Sequence, residues 1–252
     1  MISTHDVIFQ KNAKCKICGT HSNLYGVADF SKSCEEAKKK YLPLLGVPIY
    51  YHKCGNCGLI FTVSFDEWSV KDFSKFIYND DYIEVDPDYI EARPTGNAKM
   101  VYDFIKANTS IRLLDYGGGN ALQARLLRDK QINCDSWDPL VPSEFFPQSS
   151  YYDLITAFEV LEHTPTPVET TKQILQFLKE NGAFLFSTLT IDGLPDGGIG
   201  FWYISPRNGH VTIYTQKSLD VLFLKFGYSL HHFNNLMHLA YRKIPPWLSY
   251  LF

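Results

Sequence analysis

No stretch of about 18 apolar residues occurs in this chain, so the sequence predicts no helix that spans a bilayer. The first residues, Met1-Ile-Ser-Thr-His-Asp6, lack a basic segment followed by an apolar one, and no secretory signal is expected. There is no excess of positive charge either. Lys and Arg number 24 against 27 Asp and Glu, a net charge of -3 that gives no reason to expect a nucleic-acid partner. What remains is a chain of 252 residues, 45% hydrophobic, long enough for one main domain with an appendage. The simplest reading is a cytoplasmic enzyme acting on a small molecule.

Two further absences bear on the glycine-rich stretch Ile111-Arg-Leu-Leu-Asp-Tyr-Gly-Gly-Gly-Asn120. An apolar run ending in Asp115, three glycines and the helical pattern Ala121–Leu127 read as strand, tight turn and helix. A dinucleotide fingerprint needs a third glycine where Leu122 stands, and a phosphate loop needs Gly-Lys-Ser/Thr, which is missing. A carboxylate directly before the glycines would repel a pyrophosphate and suits a ligand carrying a positive group. Glycines at this bend let backbone approach such a ligand closely.

About one strand-helix unit later, Ile132-Asn-Cys-Asp-Ser-Trp-Asp138 reads as a second strand ending in a carboxylate able to hold ribose hydroxyls. Next comes Tyr151-Tyr-Asp-Leu-Ile-Thr-Ala-Phe-Glu-Val-Leu-Glu-His163. In order and spacing these three segments resemble the first, second and fourth-strand motifs of class I S-adenosylmethionine-dependent methyltransferases. The Glu-Val-Leu-Glu-His form is that of ubiquinone-type and glycan-modifying members. The resemblance implies a Rossmann-like, doubly wound, mostly parallel α/β sheet. It implies S-adenosylmethionine as cofactor, S-adenosylhomocysteine as product, and cofactor contacts from Asp115, Gly117, Gly118, Gly119, Asp138, Phe158 and Glu159.

One departure concerns the 14 residues from Pro139 to Tyr152, too few for the usual helix, third strand and loop. That strand is expected to be abbreviated or missing, with the adenine edge meeting backbone around residues 145–148. The alternation continues with a helix over 168–180 that opens at Pro167 and stops at Asn181-Gly182, an apolar strand over 183–189, a helix over 216–226 closed by Gly227, and last antiparallel strands that place His231, His232 and His238 as surface or packing residues.

Of six cysteines, four form the pairs Cys15-Lys-Ile-Cys18-Gly and Cys54-Gly-Asn-Cys57-Gly. In a reducing compartment such knuckles supply the four thiolates of a tetrahedral site, read here as structural zinc, with iron a lesser alternative. His21 and His52 stand nearby, and Cys34 and Cys134 have no partner at ligand spacing. Segments 48–54 and 59–63 read as the strands of a zinc-ribbon hairpin, and 35–41 as a loop or short helix. This gives three units: a zinc ribbon over 1–65, a helical lid or connector over 66–108 that includes an amphipathic helix over 97–108, and a cofactor-binding domain over 109–252. Tyr78, Tyr82 and Arg93 are assigned to the lid surface over the cofactor, by resemblance to ribbon-bearing methyltransferases; a connector whose tyrosines only pack is the alternative.

The glycine-rich segment 191–215 leaves the fifth strand on the ligand side and is too glycine-rich to be core. It is expected to form the acceptor pocket, with Trp202, Tyr203 and Arg207 binding substrate. Its Pro-Arg-Asn-Gly-His210 run resembles a segment of glycan-type methyltransferases that places a histidine at the site. Transfer from a sulfonium needs alignment and exclusion of water, and a hydroxyl acceptor needs a base, for which His210 and His163 are the candidates. The expected reaction is O-methylation of a small-molecule or saccharide-linked acceptor in surface-glycan biosynthesis. C- or N-methylation of a nucleotide-linked sugar is an alternative, as is a non-catalytic zinc-ribbon protein on a decayed methyltransferase fold. Oligomeric state is not legible.

Overall fold

A computed structural model of the chain describes residues 12–106, 108–193 and 197–252. The expectations for Met1–Asp6, for Ala107 in the helix over 97–108 and for residues 194–196 of the acceptor segment fall outside the described residues. Among the described residues no helix is long and apolar enough to cross a membrane.

The main sheet has six strands in the order β10-β11-β8-β7-β5-β6. β5 (Arg112–Tyr116), β6 (Asn133–Trp137), β7 (Tyr152–Phe158) and β8 (Leu178–Ser187) run parallel; β10 (Ser229–His232) and β11 (Met237–Tyr241) are antiparallel. Chain order reverses at β5, with β6 on one side and β7 on the other, which opens a crevice beyond their carboxyl ends. Nothing regular lies between β6 and β7. The third strand of the expected pattern is absent, as the short spacing required.

Apolar residues on both faces of the central strands need covers on both sides. On one face, α3 (Ala92–Phe104) and α4 (Leu122–Asp129) bury Ala98, Val101, Ala124 and Leu127 against Leu113, Leu154 and Leu185. On the other, α5 (Pro167–Phe177) and α6 (Gln216–Leu224) bury Ile174, Phe177, Leu219 and Phe223 against Leu114, Ile155 and the stacked rings of Phe184 and Phe186.

A second sheet, order β1-β2-β3-β4-β9, is built from β1 (Asn12–Lys14), β2 (His21–Asp29), β3 (Pro48–Cys54), β4 (Ile60–Thr62) and β9 (Thr212–Ile213). Its last strand belongs to the second half of the chain: Ile60 pairs with Ile213 and Phe61 with Thr212. The knuckle cysteines Cys15, Cys54 and Cys57 bury themselves in the same apolar cluster as α5 and α6. Ribbon and catalytic sheet therefore share one core. The segment between them carries α1 (Val70–Phe76), opened by a reciprocal Ser69–Asp72 cap, and the short α2 (Tyr82–Val85).

Several boundaries differ from the sequence reading. The helix expected over 97–108 spans 92–104, beginning before Pro94, which its first turn tolerates because early amides have no intrahelical acceptor. The helix expected over 168–180 ends at Phe177, and Asn181-Gly182 lies inside β8 at an irregularity in its pairing with β7. There a Cβ on Gly182 would meet the Tyr152 carbonyl at 3.0 Å, so the glycine serves a close backbone approach and not a helix stop. The helix over 216–226 ends at Leu224, with Gly227 three residues beyond at positive φ. The segment over 191–215 is not a glycine-rich exterior loop throughout: Tyr203, Ile204, Val211 and Ile213 are core, packed against Tyr51, Ile60, Phe73 and Ile77.

Thr215 joins the two halves. Its hydroxyl accepts from the Ser218 amide as the cap of α6 and donates to the Cys57 carbonyl at 2.7 Å. Replacing it by Ala should remove both, for a loss of about 1–2 kcal/mol and a thermal midpoint lower by about 2–8 °C. An unchanged midpoint in calorimetry would show the contact to be incidental.

Candidate functional site

At the tip of β5, Asp115 is 4% exposed. One of its oxygens, Oδ1, accepts from Gln123 Nε2 at 2.7 Å, and the same amide reaches Thr156 Oγ1 at 2.9 Å. The other oxygen, Oδ2, is buried with no partner and faces the space above Gly118, where a Cβ would lie 2.6 Å from it. Burial, and then the charge of Asp138, push the Asp115 carboxyl up to about 7. Gly117 and Gly119 both have positive φ, and a Cβ on Gly117 would lie 2.5 Å from Val160. The bend is glycine on steric grounds, and its backbone is left bare toward the crevice.

Asp138, just past β6, is oriented by backbone: Oδ2 accepts from the Gly119 amide at 2.9 Å and Oδ1 from the Leu140 amide at 2.7 Å. Each oxygen keeps a further lone pair for a ligand hydroxyl. At the tip of β7, Glu159 adopts a left-handed backbone, φ 56°, unusual outside glycine, and its amide and carboxylate both bond Ser187 Oγ. Phe158 is half-buried at the last position of β7.

Residues of the segment over 66–108 meet this edge. Arg93 forms a two-pronged bond to Asp86 at 2.8 and 2.6 Å and its charge also acts on Glu159. Asn120, at the glycine bend, donates to the Ile90 carbonyl at 3.0 Å. Tyr78 packs edge-on to Tyr82 and lies 6.0 Å, ring to ring, from His163.

The Pro206-Arg-Asn-Gly-His210 run fastens these pieces. Arg207 donates to the Ile77 carbonyl and to Asn79 Oδ1, and Asn208 takes the Cys34 amide and donates to the Val85 carbonyl. Arg207 is thus placed to hold the lid. Tyr203 is buried and donates to Glu162 Oε1 at 2.6 Å, so its hydroxyl also has a partner within the protein. Trp202, 38% exposed, is the most accessible of the three acceptor candidates, its ring beside Phe201 and Tyr203. His210 and His163 are brought together, rings 4.8 Å apart. A carbonyl can only accept, so the 2.8 Å contact between His210 Nδ1 and Tyr203 O places the proton on Nδ1 and leaves Nε2 with a lone pair. Burial lowers His210 to about 4, and burial together with His210 lowers His163 as well. Both rings are neutral at physiological pH.

The knuckle sulfurs converge at the far end of the ribbon. Cys15 and Cys57 sulfurs are 3.6 Å apart and those of Cys18 and Cys54 3.4 Å. All four lie within 4.8 Å of one another. Four sulfurs about 2.3 Å from one tetrahedral ion would be about 3.8 Å apart, close to this spacing.

Three contributors were missed at the level of sequence. Gln123, which holds Asp115, was signalled by a polar residue on the apolar stripe of α4. Glu162 was spelled out within Glu-Val-Leu-Glu-His yet carried no role. Cys34, set aside as an ordinary side chain, has its sulfur 3.8 Å from His210 Nδ1, a contact between residues far apart in sequence and carrying no local signal.

A parallel sheet with a glycine bend between two strand-tip carboxylates, and a lid above it, defines a class I, S-adenosylmethionine-dependent methyltransferase. The chain belongs to the methyltransferase domain family, whose model matches residues 89–232. No curated protein matches the chain. Similar solved structures include 1,6-didemethyltoxoflavin-N1-methyltransferase of Burkholderia thailandensis with bound 1,6-didemethyltoxoflavin and S-adenosylhomocysteine, at 12% identity over 80% of this chain and 96% of that one, TM-score 0.49. Others are an O-methyltransferase family protein of the same organism, at 14% identity over 68% of this chain and 64% of that one, TM-score 0.46, and a methyltransferase of Aquifex aeolicus, at 9% identity over 69% and 98%, TM-score 0.41.

Gly118 tests the bend directly. In Gly118→Ala the new Cβ would sit 2.2 Å from Ser136 Oγ and 2.6 Å from Asp115 Oδ2, so side chains must move. A loss of about 1–3 kcal/mol is expected in urea unfolding, and wild-type stability would mean that the cradle is looser than its geometry.

Proposed function

We propose that the chain transfers a methyl group from S-adenosylmethionine to an oxygen of a small-molecule or saccharide-linked acceptor. The carrying observation is the pair of carboxylates flanking the glycine bend: Asp115 with an unpartnered oxygen facing the bare backbone, and Asp138 held by two amides with lone pairs to spare. This donor set fits a ligand with an ammonium at one end and a ribose diol at the other. Asp115 would receive the ammonium beside Gly117, Gly118 and Gly119, and Asp138 the ribose. Phe158 and Glu159 would line the floor, with Tyr78, Tyr82 and Arg93 excluding water from above. The cofactor supplies a methyl group on a sulfonium that leaves as a neutral thioether, so alignment and dryness are the protein's main tasks.

The acceptor belongs beside His163 and His210, the neutral pair at the inner end of the crevice. Each offers a nitrogen that accepts a hydroxyl proton in a hydrogen bond and so points the oxygen. An imidazole lowered to about 4 is a weak base for an alcohol, so orientation is the better-supported role for His210. Trp202, exposed next to Tyr203, supports a ring-shaped acceptor such as a sugar, since a flat apolar face suits the C–H face of a saccharide. A role in surface-glycan biosynthesis in the cytoplasm fits that acceptor class. At Cys15, Cys18, Cys54 and Cys57 we place a structural zinc, because the sulfur spacing fits a closed four-thiolate shell with no open position for chemistry.

Titration calorimetry with S-adenosylhomocysteine tests the cofactor site. In the folded protein Asp115 keeps its proton to about pH 7, against about 4 for an unfolded aspartate. Its neutral form therefore favours the folded state, an advantage lost as pH rises from about 4 through 7. The ammonium of the ligand favours the ionised form, so affinity should rise about tenfold between pH 6 and pH 8. Asp115→Asn should bind more weakly and without that pH dependence. If wild-type protein binds no S-adenosylhomocysteine at millimolar concentration, the proposal fails.

The zinc assignment predicts one zinc per chain by elemental analysis. In Cys54→Ser the zinc content should drop by more than half and the unfolding midpoint should fall, because these sulfurs are part of the core beneath α5 and α6. Full stability after quantitative removal of zinc by a chelator would count against a structural role.

A further inference from the structure

Around the two histidines lies a group of atoms that cofactor binding does not use. Glu162 is fully buried, with Oε1 bonded to Tyr203 and Oε2 without a partner. His163 Nδ1 is likewise buried and unpartnered. One donor atom from each of Glu162, His163 and His210 lies within 4.8 Å of the other two. A buried carboxylate oxygen and a buried imidazole nitrogen left without partners each cost on the order of 1–3 kcal/mol, and two such atoms on adjacent residues call for a partner.

We propose that Glu162, His163 and His210 form a binding site for a divalent first-row cation of the manganese type, whose open coordination positions receive oxygens of the methyl acceptor. Two imidazoles and a carboxylate on one side of an ion are a donor set suited to such metals, with the remaining positions free. Donors about 2.1 Å from one ion lie about 3.0–4.2 Å from one another, a range inside the 4.8 Å bound on the present spacing. His210 is already prepared for this role: Nδ1–H is held by the Tyr203 carbonyl, as ligating histidines are commonly held, and Nε2 is left to ligate. Tyr203 does the same for the carboxylate, through its hydroxyl on Oε1.

The electrostatics agree. Glu162 is pushed far above the usual carboxylate range by burial and then by Glu159, and Glu159 is raised by burial, against which Arg93 acts. The groups acting on this pocket include the carboxylates of Glu159, Glu162 and Asp86, the two imidazoles, the Tyr203 and Thr188 hydroxyls and the charges of Arg93 and Lys32. A divalent cation would stabilise Glu159 and Glu162 as anions. It would also supply what His210 lacks as a base, since an oxygen bound to a cation is acidified directly. The alternative is a proton shared by Glu159 and Glu162, with no metal.

The cation site rests on the methyl-transfer reading for its purpose but not for its detection. Zinc-loaded full-length protein is titrated with Mn2+ and free Mn2+ is followed by electron paramagnetic resonance. Mn2+ competes poorly for thiolates, so the four-cysteine site keeps its zinc. One bound Mn2+ per chain is expected, weakened at least about tenfold by Glu162→Gln, His163→Gln or His210→Gln, with zinc content unchanged. His163→Gln decides the matter if Glu162→Gln fails to fold, because it leaves the Tyr203–Glu162 bond in place. Absence of binding up to millimolar Mn2+, or binding that His163→Gln leaves intact, overturns the site. S-adenosylhomocysteine binding measured on the same samples separates the readings: retained cofactor binding without Mn2+ sinks only the cation, and Mn2+ binding without the cofactor sinks only the methyl-transfer proposal.

Discussion

The hydrogen bonds made by residues 203–214 determine where the rest of the site can be. This stretch leaves the catalytic sheet, yet its strand β9 completes the ribbon sheet. The Val211 amide donates to the Glu162 carbonyl, Thr212 Oγ1 to the Thr164 carbonyl and the Tyr214 hydroxyl to the Leu161 carbonyl, which stitches it to the turn after β7. On its other side Arg207 and Asn208 hold the lid, and Lys32 reaches in from the ribbon to the Phe201 and Ile204 carbonyls. Buried polar groups must find partners, and here each partner comes from a different part of the chain. Lid, ribbon and catalytic turn are therefore set in register by one segment of about a dozen residues.

That arrangement gives the ribbon a part in the site. A small unit with two thiolate knuckles has little core of its own, and here it uses that of α5 and α6. Tyr51 on β3 donates to the His210 carbonyl at 2.7 Å, so a ribbon residue fixes the backbone of a residue in the crevice. The cysteine end of the ribbon and the position of the histidine are linked through β3, which carries both Cys54 and Tyr51. Cutting the chain at residue 65 would divide this core, because Ile60 and Phe61 pair with residues 150 positions later.

Local signals in the sequence were enough for the parallel sheet, the glycine bend, the strand-tip acids and the sulfur knuckles, since each is written in a few consecutive residues whose chemistry decides the conformation. Asp115 before three glycines and Cys-x-x-Cys-Gly are of that kind. Long-range pairing was not legible. Nothing in Thr212-Ile213 says that its partner strand is Ile60–Thr62, and the aromatic and β-branched side chains that make residues 203–214 core are outweighed to the eye by the glycines before them. Asn181-Gly182 misled for a related reason. The pair is a common helix stop, but an irregular strand crossing close to the Tyr152 carbonyl has the same need for a residue without a side chain.

The charge distribution bears on what the crevice accepts. Asp115, Asp138 and Glu159 stand at the tips of β5, β6 and β7 and Glu162 in the turn after β7, and Arg93, a cation that acts on this edge, is already paired with Asp86. Asp115 and Glu162 each keep an oxygen without a partner, and both have carboxyls raised chiefly by burial. Unpaired buried carboxylates are costly as anions, so without a ligand burial favours their neutral forms. A ligand bearing positive charge removes that cost at the moment it binds, and one bearing phosphate adds to it. Before any shape is considered, the charges of this edge therefore favour a positively charged group and disfavour a phosphate.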